Sequence, residues 1–335
     1  MKTILITGVA GFIGFHLSKY LLKQGCKVIG IDNINDYYDI KIKEARLNML
    51  FDYANFVFYK QDIKYAYKLN SVFEKHRPEY VINLAAQAGV RYSLVNPTAY
   101  IDCNVMGFMN ILEACKSYNI KHFLFASSSS VYGANKTVPF SIDHKTDQPI
   151  SLYAATKKSN ELMAHAYSHL FDIPMTGLRF FTVYGEWGRP DMAYYLFTEN
   201  ILNEKPIKVF NNGQMKRDFT YIGDLIDYIY KLLDKPPINL EMNTKEEQTM
   251  SNAKYRVLNV GGQTSILLEE FISVIEDATN KKAIKHYLPI QKGDVEETFA
   301  DISELEKLVG KVSYTSIDIG IEKFVEWYKD FNEEM

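Results

Sequence analysis

The chain has 335 residues, with 38 Lys and Arg set against 41 Asp and Glu, a formal net charge of -3. That length suits one large α/β unit or two intimate domains, at roughly 150 residues each, and the balanced charge offers a nucleic-acid backbone no basic surplus. The 47% hydrophobic and 24% charged composition excludes a mostly disordered or fibrous chain, and three cysteines without C-x-x-C spacing (Cys26, Cys103, Cys115) indicate neither a disulfide framework nor a thiolate zinc site.

Lys2 precedes an apolar stretch from Ile4 to Phe15, but glycines interrupt it and no convincing cleavage site follows, so it reads as the first strand and turn of a fold and not as an export signal. No run reaches the roughly 18 apolar residues that cross a bilayer, and a reducing cytoplasm is the expected location. Short β-rich runs then alternate with helix-length stretches. Strands are predicted at Thr3 to Ile6, Lys27 to Ile31, Asn55 to Tyr59, Tyr80 to Leu84, His122 to Ala126 and Pro174 to Arg179. Helices are predicted at Ile13 to Gln24, Leu69 to His76, Asn104 to Tyr118 and Leu152 to Phe171. This alternation predicts an α/β fold with a doubly wound parallel sheet of the Rossmann kind. The second half is less regular: a helix from Gly223 to Leu233, a polar loop from Pro236 to Lys254, and from Thr264 on a mixture suited to a smaller C-terminal substrate-binding lobe.

The first turn carries Thr7-Gly8-Val9-Ala10-Gly11-Phe12-Ile13-Gly14 between strand and helix, where glycines permit a tight turn and a pyrophosphate can approach the helix N-terminus. The second strand ends at Asp32, 18 residues after Gly14, placing an acid to accept a ribose 2′-hydroxyl. The bland alternative is a structural turn with a capping Asp. Because Asn33 follows and no Arg stands nearby in sequence, NAD is expected over NADP.

Further on, Ala126-Ser127-Ser128-Ser129-Ser130-Val131-Tyr132-Gly133 ends a predicted strand, and Tyr153 and Lys157 stand four apart on one helix face, where an ammonium can lower a phenol's pKa and make a competent base. With Tyr153-Ala154-Ala155-Thr156-Lys157 the sequence resembles the short-chain dehydrogenase/reductase superfamily, specifically its extended nucleotide-sugar epimerases and dehydratases. The match runs through the glycine loop, Asp62-Ile63, Asn83-Leu84-Ala85-Ala86, the serine strand, the Tyr-Lys pair and Arg217-Asp218. The resemblance implies Ser128, Tyr153 and Lys157 as catalytic residues. It also implies NAD held by Gly8, Gly11, Phe12, Ile13, Gly14, Asp32, Asp62, Ile63, Ala85, Tyr153 and Lys157, with residues 1–182 as the NAD domain, segment 222–260 returning to it, and 183–335 mainly a nucleotide-sugar lobe.

Related dehydratases carry an Asp-Glu pair after this serine and decarboxylases a Glu, whereas this chain has Ser129 and Ser130, so a keto intermediate is left with return of the hydride, and an epimerase is expected. The block from Leu178 to Ala193, with Gln87 to Ser93 and Gly293-Asp294-Val295, resembles that of UDP-glucuronate 4-epimerases. A carboxylate needs hydroxyls and a cation, and Ser129, Ser130, Thr182 and Arg189 offer both, unless Arg189 pairs with Asp191 or a surface acid. One departure stands out: Glu186 replaces the family's usual Pro and puts negative charge near that site. Arg217 resembles the diphosphate ligand and Asp294 the residue reaching the nucleotide ribose, with the base packing around Val209-Phe210. The resemblance thus implies inversion at C4 of a UDP-hexuronate through a 4-keto sugar, in a homodimer joined by helices 104–118 and 152–171 and with no metal. A UDP-glucose or UDP-N-acetylglucosamine 4-epimerase and a catalytically silent NAD-binding regulator remain as alternatives. His165 and His169 have metal-pair spacing but lack a third ligand, and the 44 Tyr and Phe with two Trp are spread as core filling.

Overall fold

The computed structural model describes residues 1–239, 251–291, 293–311 and 314–333. In chain order the strands are β1 (Thr3–Thr7), β2 (Lys27–Asp32), β3 (Phe56–Lys60), β4 (Tyr80–Asn83), β5 (His122–Ser128), β6 (Met175–Phe180), β7 (Thr182–Tyr184), β8 (Ile207–Phe210), β9 (Lys216–Tyr221), β10 (Tyr255–Val260), β11 (Ser265–Leu267) and β12 (Lys285–Leu288). The helices are α1 (Phe12–Lys23), α2 (Ile40–Phe51), α3 (Ala66–His76), α4 (Pro97–Tyr100), α5 (Phe108–Lys116), α6 (Leu152–Phe171), α7 (Ala193–Leu202), α8 (Ile222–Leu233), α9 (Leu268–Thr279), α10 (Ser303–Val309) and α11 (Ile317–Glu333).

Seven parallel strands form the main sheet in the order β10-β6-β5-β4-β1-β2-β3, so the direction of winding reverses between β1 and β4. Both faces are covered, which is why Ile4, Leu5, Ile6 and Val28 are apolar in succession and fully buried. On one face α1 and α8 bury Phe15, Leu17, Leu225 and Ile229; on the other α3, α5 and α6 bury Phe73, Phe108, Leu112 and Ala164. A third core, with Tyr194, Phe197, Phe219, Phe271 and Phe324, joins α7, α9 and α11 to the small sheet β11-β9-β7. In the parallel pair β8-β12, Val209 and Tyr287 are partners.

The six strands and α6 stand where the sequence pattern puts them. Helix α2 escapes that pattern because its inner face carries buried Lys43 and Arg46 among Ile42, Leu47 and Leu50, so its apolar period is broken; Asp39 starts it by accepting from Lys41 N at 2.9 Å. The predicted helix from Asn104 begins earlier, as α4 followed by a π-helical stretch Ile101–Gly107. Part of the loop predicted from Pro236 to Lys254, residues 240–250, lies outside the described residues. No described helix is long and apolar enough to cross a membrane.

Candidate active site

At the point where the winding reverses, the loops leaving β1 and β4 touch. Thr7 Oγ1 donates to Asn83 Oδ1 at 2.6 Å and accepts from Ala85 N at 3.2 Å. Gly8, at φ +75°, packs so closely that a Cβ would lie 2.7 Å from Ala85 N, and a Cβ on Gly14 would lie 2.1 Å from Gly8 O. Side chains are excluded at both, and the N-terminus of α1 is thereby drawn to the sheet edge. The N–H groups of Phe12, Ile13 and Gly14 find no hydrogen-bond partner among the described residues, and Gly11 supplies no side-chain cap. Such an end is electropositive and suits a phosphate.

A cleft of about 250 Å³ runs along this edge, lined by Gly8, Gly11, Phe12, Ile13, Gly14, Asp32, Asp62, Ile63, Ala85, Tyr153 and Lys157. Asp32 accepts from Ala10 N at 3.0 Å and Ile34 N at 2.8 Å, so it ties two loops together while staying in the wall. Burial pushes its carboxyl up, against those bonds and the nearby Lys43 and Arg46. The expectation that no Arg stands near Asp32 therefore fails, because α2 brings one back. Arg46, however, is fully buried and its two Nη groups are spent on Ala10 O, Trp187 O, Gly188 O and the Tyr38 hydroxyl, so that only a buried Nε is left and no two-donor edge remains for a 2′-phosphate. Asp62 accepts from Asn33 Nδ2 at 3.0 Å and from Lys64 N at 3.0 Å.

At the cleft's inner end Ser128, where β5 stops, accepts from Ser130 N at 3.2 Å and opens the 3-10 turn that carries Ser129 and Ser130. Tyr153 and Lys157 come from one face of α6, which begins at the Ser151 cap. Burial raises the Tyr153 phenol, and the neighbouring Ser128 hydroxyl and Arg189 guanidinium offset this in part. Lys157 is pulled down to about 8 by burial, and its Nζ donates to Ala126 O at 2.8 Å. The i, i+4 spacing puts both residues on one face as expected, but where the ammonium was expected to lower the phenol, its Nζ is anchored to β5 and burial leaves the phenol raised. Asn104, in the π-helical stretch, pairs with both Gln87 N and Gln87 O and donates to Thr156 Oγ1, bracing the loop beside the cleft. A buried Asn within a helix is the only signal the sequence gives of it.

A second cavity of about 1040 Å³ opens onto the first at Ser128, Tyr153, Phe180, Phe181 and Arg189, and Ser129, Ser130, Thr182, Arg217 and Asp294 also line it. All seven residues expected to hold substrate thus face one space. Arg189 pairs with Asp191 through Nε at 3.0 Å and Nη2 at 2.6 Å, the arrangement weighed as its bland alternative, yet it still lines both cavities. Glu186 lines neither: its carboxylate meets the Tyr221 hydroxyl at 3.0 and 2.9 Å, so the expected negative charge beside the carboxylate site is turned away. At the far end Arg217 Nη1 donates to Lys216 O and Glu296 O, burial lowers its guanidinium, and Asp294 pairs with Arg91 at 3.3 Å. The Arg91 guanidinium lies 4.9 Å from the ring centre of Phe210. Of the predicted base platform Phe210 faces the cavity, but Val209 is fully buried in the third core. Tyr37, in both cavity walls, was not visible from the sequence because it sits in a loop without a motif.

The sequence profile of the NAD dependent epimerase/dehydratase family matches residues 4–243. Protein CapI of Staphylococcus aureus is 51% identical over 330 residues, covering 98% of each chain. A probable UDP-glucuronate 4-epimerase of Rhizobium meliloti is 47% identical over 97% of this chain and 96% of its own. The crystal structure of a UDP-glucuronic acid 4-epimerase from Bacillus cereus, in complex with UDP-glucuronic acid and NAD, superposes with a TM-score of 0.88 at 34% identity, over 98% of this chain and 99% of that one.

Proposed function

Because the chain belongs to the NAD dependent epimerase/dehydratase family, we propose that it inverts C4 of a UDP-hexuronate, interconverting UDP-glucuronate and UDP-galacturonate. The observation that carries the acidic sugar is Arg189. It is a guanidinium whose Nη1 has no partner among the described residues, in a cavity that also presents Ser129, Ser130 and Thr182 and shares Ser128 and Tyr153 with the cofactor cleft.

NAD, when bound, takes the C4 hydride and gives it back, so the reaction is redox-neutral. The free N–H groups opening α1 hold its pyrophosphate, Asp32 its ribose, and Asp62, Ile63 and Ala85 line its adenosine half. Tyr153 accepts the proton of the sugar 4-hydroxyl, Ser128 steadies that oxygen, and Lys157 holds the nicotinamide ribose. Arg189 and the three hydroxyls hold the carboxylate while C4 is a ketone. Arg217 binds the diphosphate and Asp294 the nucleotide ribose. The described residues of 1–182 and 222–260 form the cofactor lobe and those of 183–335 mainly the sugar lobe, with 240–250 outside the described residues, a division supported by β10 pairing with β6 in the main sheet. A cytoplasmic location fits a resident NAD and three free cysteines.

A homodimer is supported by the exposed strip Leu162, Ala166 and Leu170 on α6, beside exposed Ile101 and Met106. Leu162→Glu with Met106→Glu is expected to move the protein to the monomer mass in sedimentation; an unchanged mass sinks this interface.

The function is tested by incubating the purified protein with UDP-glucuronate, without an added electron acceptor, and following the sugar by proton NMR with absorbance at NADH wavelengths. Appearance of the C4 epimer without accumulating NADH is the expected result. Turnover of UDP-glucose or UDP-N-acetylglucosamine alone overturns the acidic assignment, and silence on all three points to a regulator.

A further inference from the structure

Three side chains from two loops close the seam between the cavities. Tyr37, from the loop between β2 and α2, lines both, and its hydroxyl donates to Asp191 Oδ2 at 3.1 Å. Asp191, from the loop between β7 and α7, takes Arg189 Nε and Nη2 on its two oxygens. Tyr37 is itself held in place. A Cβ on Gly89, at φ +94°, would lie 2.7 Å from its oxygen, and the Tyr92 ring packs 4.9 Å from its own. Although burial pushes the Asp191 carboxyl up, Arg189 outweighs it and holds the group ionised below the usual carboxylate range.

A guanidinium has two bidentate edges, one side-on through Nε and Nη2, one end-on through Nη1 and Nη2. Asp191 occupies the side-on edge. Nη1 finds no partner among the described residues, so the end-on edge is the one left for a ligand. Arg is a long, rotamer-rich side chain, and a carboxylate recognised by a loose Arg must order it on binding. Here the ordering is already done by residues that need not touch the sugar.

We propose that Asp191, locked by Tyr37, is a positioning residue for substrate-carboxylate recognition, fixing Arg189 so that its end-on edge faces the sugar cavity. The proposal rests on the uronate reading above. It assigns Asp191 to binding and not to chemistry, since neither it nor Tyr37 has a hydrogen bond with Ser128, Tyr153 or Lys157.

The test compares NAD-loaded wild type, Asp191→Ala, Asp191→Asn and Tyr37→Phe, using KM and kcat for UDP-glucuronate and calorimetric Kd for UDP-glucuronate and for UDP. Asp191→Ala is expected to raise KM and Kd for UDP-glucuronate by about tenfold, with kcat within about threefold and Kd for UDP within about twofold. Asp191→Asn, which keeps one acceptor, should fall between, and Tyr37→Phe should shift KM by about two- to fivefold in the same direction. A KM for Asp191→Ala that is unchanged or lower overturns the proposal, the latter meaning that Asp191 competes with substrate. Parallel weakening of UDP overturns it in favour of a merely structural role. If wild type turns over UDP-glucose and not UDP-glucuronate, the uronate reading falls and takes this proposal with it; if wild type epimerises UDP-glucuronate and the variants match it, only the positioning role falls.

Discussion

Tyr153→Phe should bind UDP-glucuronate and NAD within about twofold of wild type yet lose roughly 10³-fold in kcat, a value inside the 10²–10⁴ range for a positioned acid-base group. The substitution removes one oxygen and leaves the ring in its place against Tyr100, whose centroid is 6.1 Å away. Tyr153 stands where the two cavities meet, beside Ser128, so its oxygen combines access to the sugar hydroxyl with proximity to the cofactor. The pH profile should report its surroundings. Burial raises the phenol above its ordinary value, so activity climbs as pH rises toward its ionisation. Lys157, lowered to about 8 by burial, carries its charge below that pH and loses it above, so its charge-assisted hold on the nicotinamide ribose weakens there. A falling limb in kcat/KM near pH 8 is therefore expected, and Lys157→Met should abolish the limb along with most activity. If Tyr153→Phe retains more than about a tenth of wild-type kcat, the proton acceptor lies elsewhere.

What the sequence reveals here depends on how local each feature is. The glycine loop, Asp32 and the Tyr153 helix are contiguous segments whose spacing alone decides their geometry, and the structure gathers all the expected cofactor and substrate residues around two adjoining cavities. What a long side chain does at its far end is not local. Lys157 ends on a carbonyl of β5, Arg46 reaches back to the Ala10 carbonyl of the glycine loop from a helix with no clean apolar period, and Glu186 turns to Tyr221. Tyr37 and Asp191 are 154 positions apart and meet only because the loops after β2 and β7 converge over one seam. The C-terminal lobe was legible only as a mixture because its core is built from aromatics at irregular spacing, Phe219 stacking on Phe271 and Tyr194 edge-on to Phe324, so no single helix or strand announces itself.

Glu161→Ala is expected to destabilise the protein by about 3–5 kcal/mol, the cost of leaving a buried charge without its partner. Glu161 sits two turns beyond Tyr153 on α6, with its side chain 2% exposed. It accepts from Arg179 Nε at 2.8 Å and Nη2 at 2.9 Å on β6, and from Ser127 Oγ at 2.7 Å on β5. Arg179 continues to the Tyr132 hydroxyl at 3.1 Å, and Tyr132 donates to Asn259 Oδ1 at 2.6 Å on β10. One carboxylate thus binds the catalytic helix to the two central strands behind Ser128. Burial pushes that carboxyl up, but Arg179 outweighs it and the group lies below its ordinary value. A depressed carboxyl contributes stability that is present above its unfolded pKa, roughly 4.3, and is lost as pH falls through the folded value. Wild type should therefore lose more stability on acidification than Glu161→Ala does. Denaturant midpoints across pH 3 to 7 measure both quantities. The pair can also be exchanged for apolar groups: Glu161→Leu with Arg179→Met should recover most of the loss, because neither buried charge is then stranded and Lys158, which also pairs with Glu161 at 3.2 Å, reaches solvent. A single variant costing under about 1 kcal/mol, or a double variant as unstable as the single, would show that the carboxylate is not what holds α6 against the sheet. If the double variant is stable but its kcat falls while KM holds, the network also sets the distance from Tyr153 to Ser128, and its role in catalysis is separate from its role in folding.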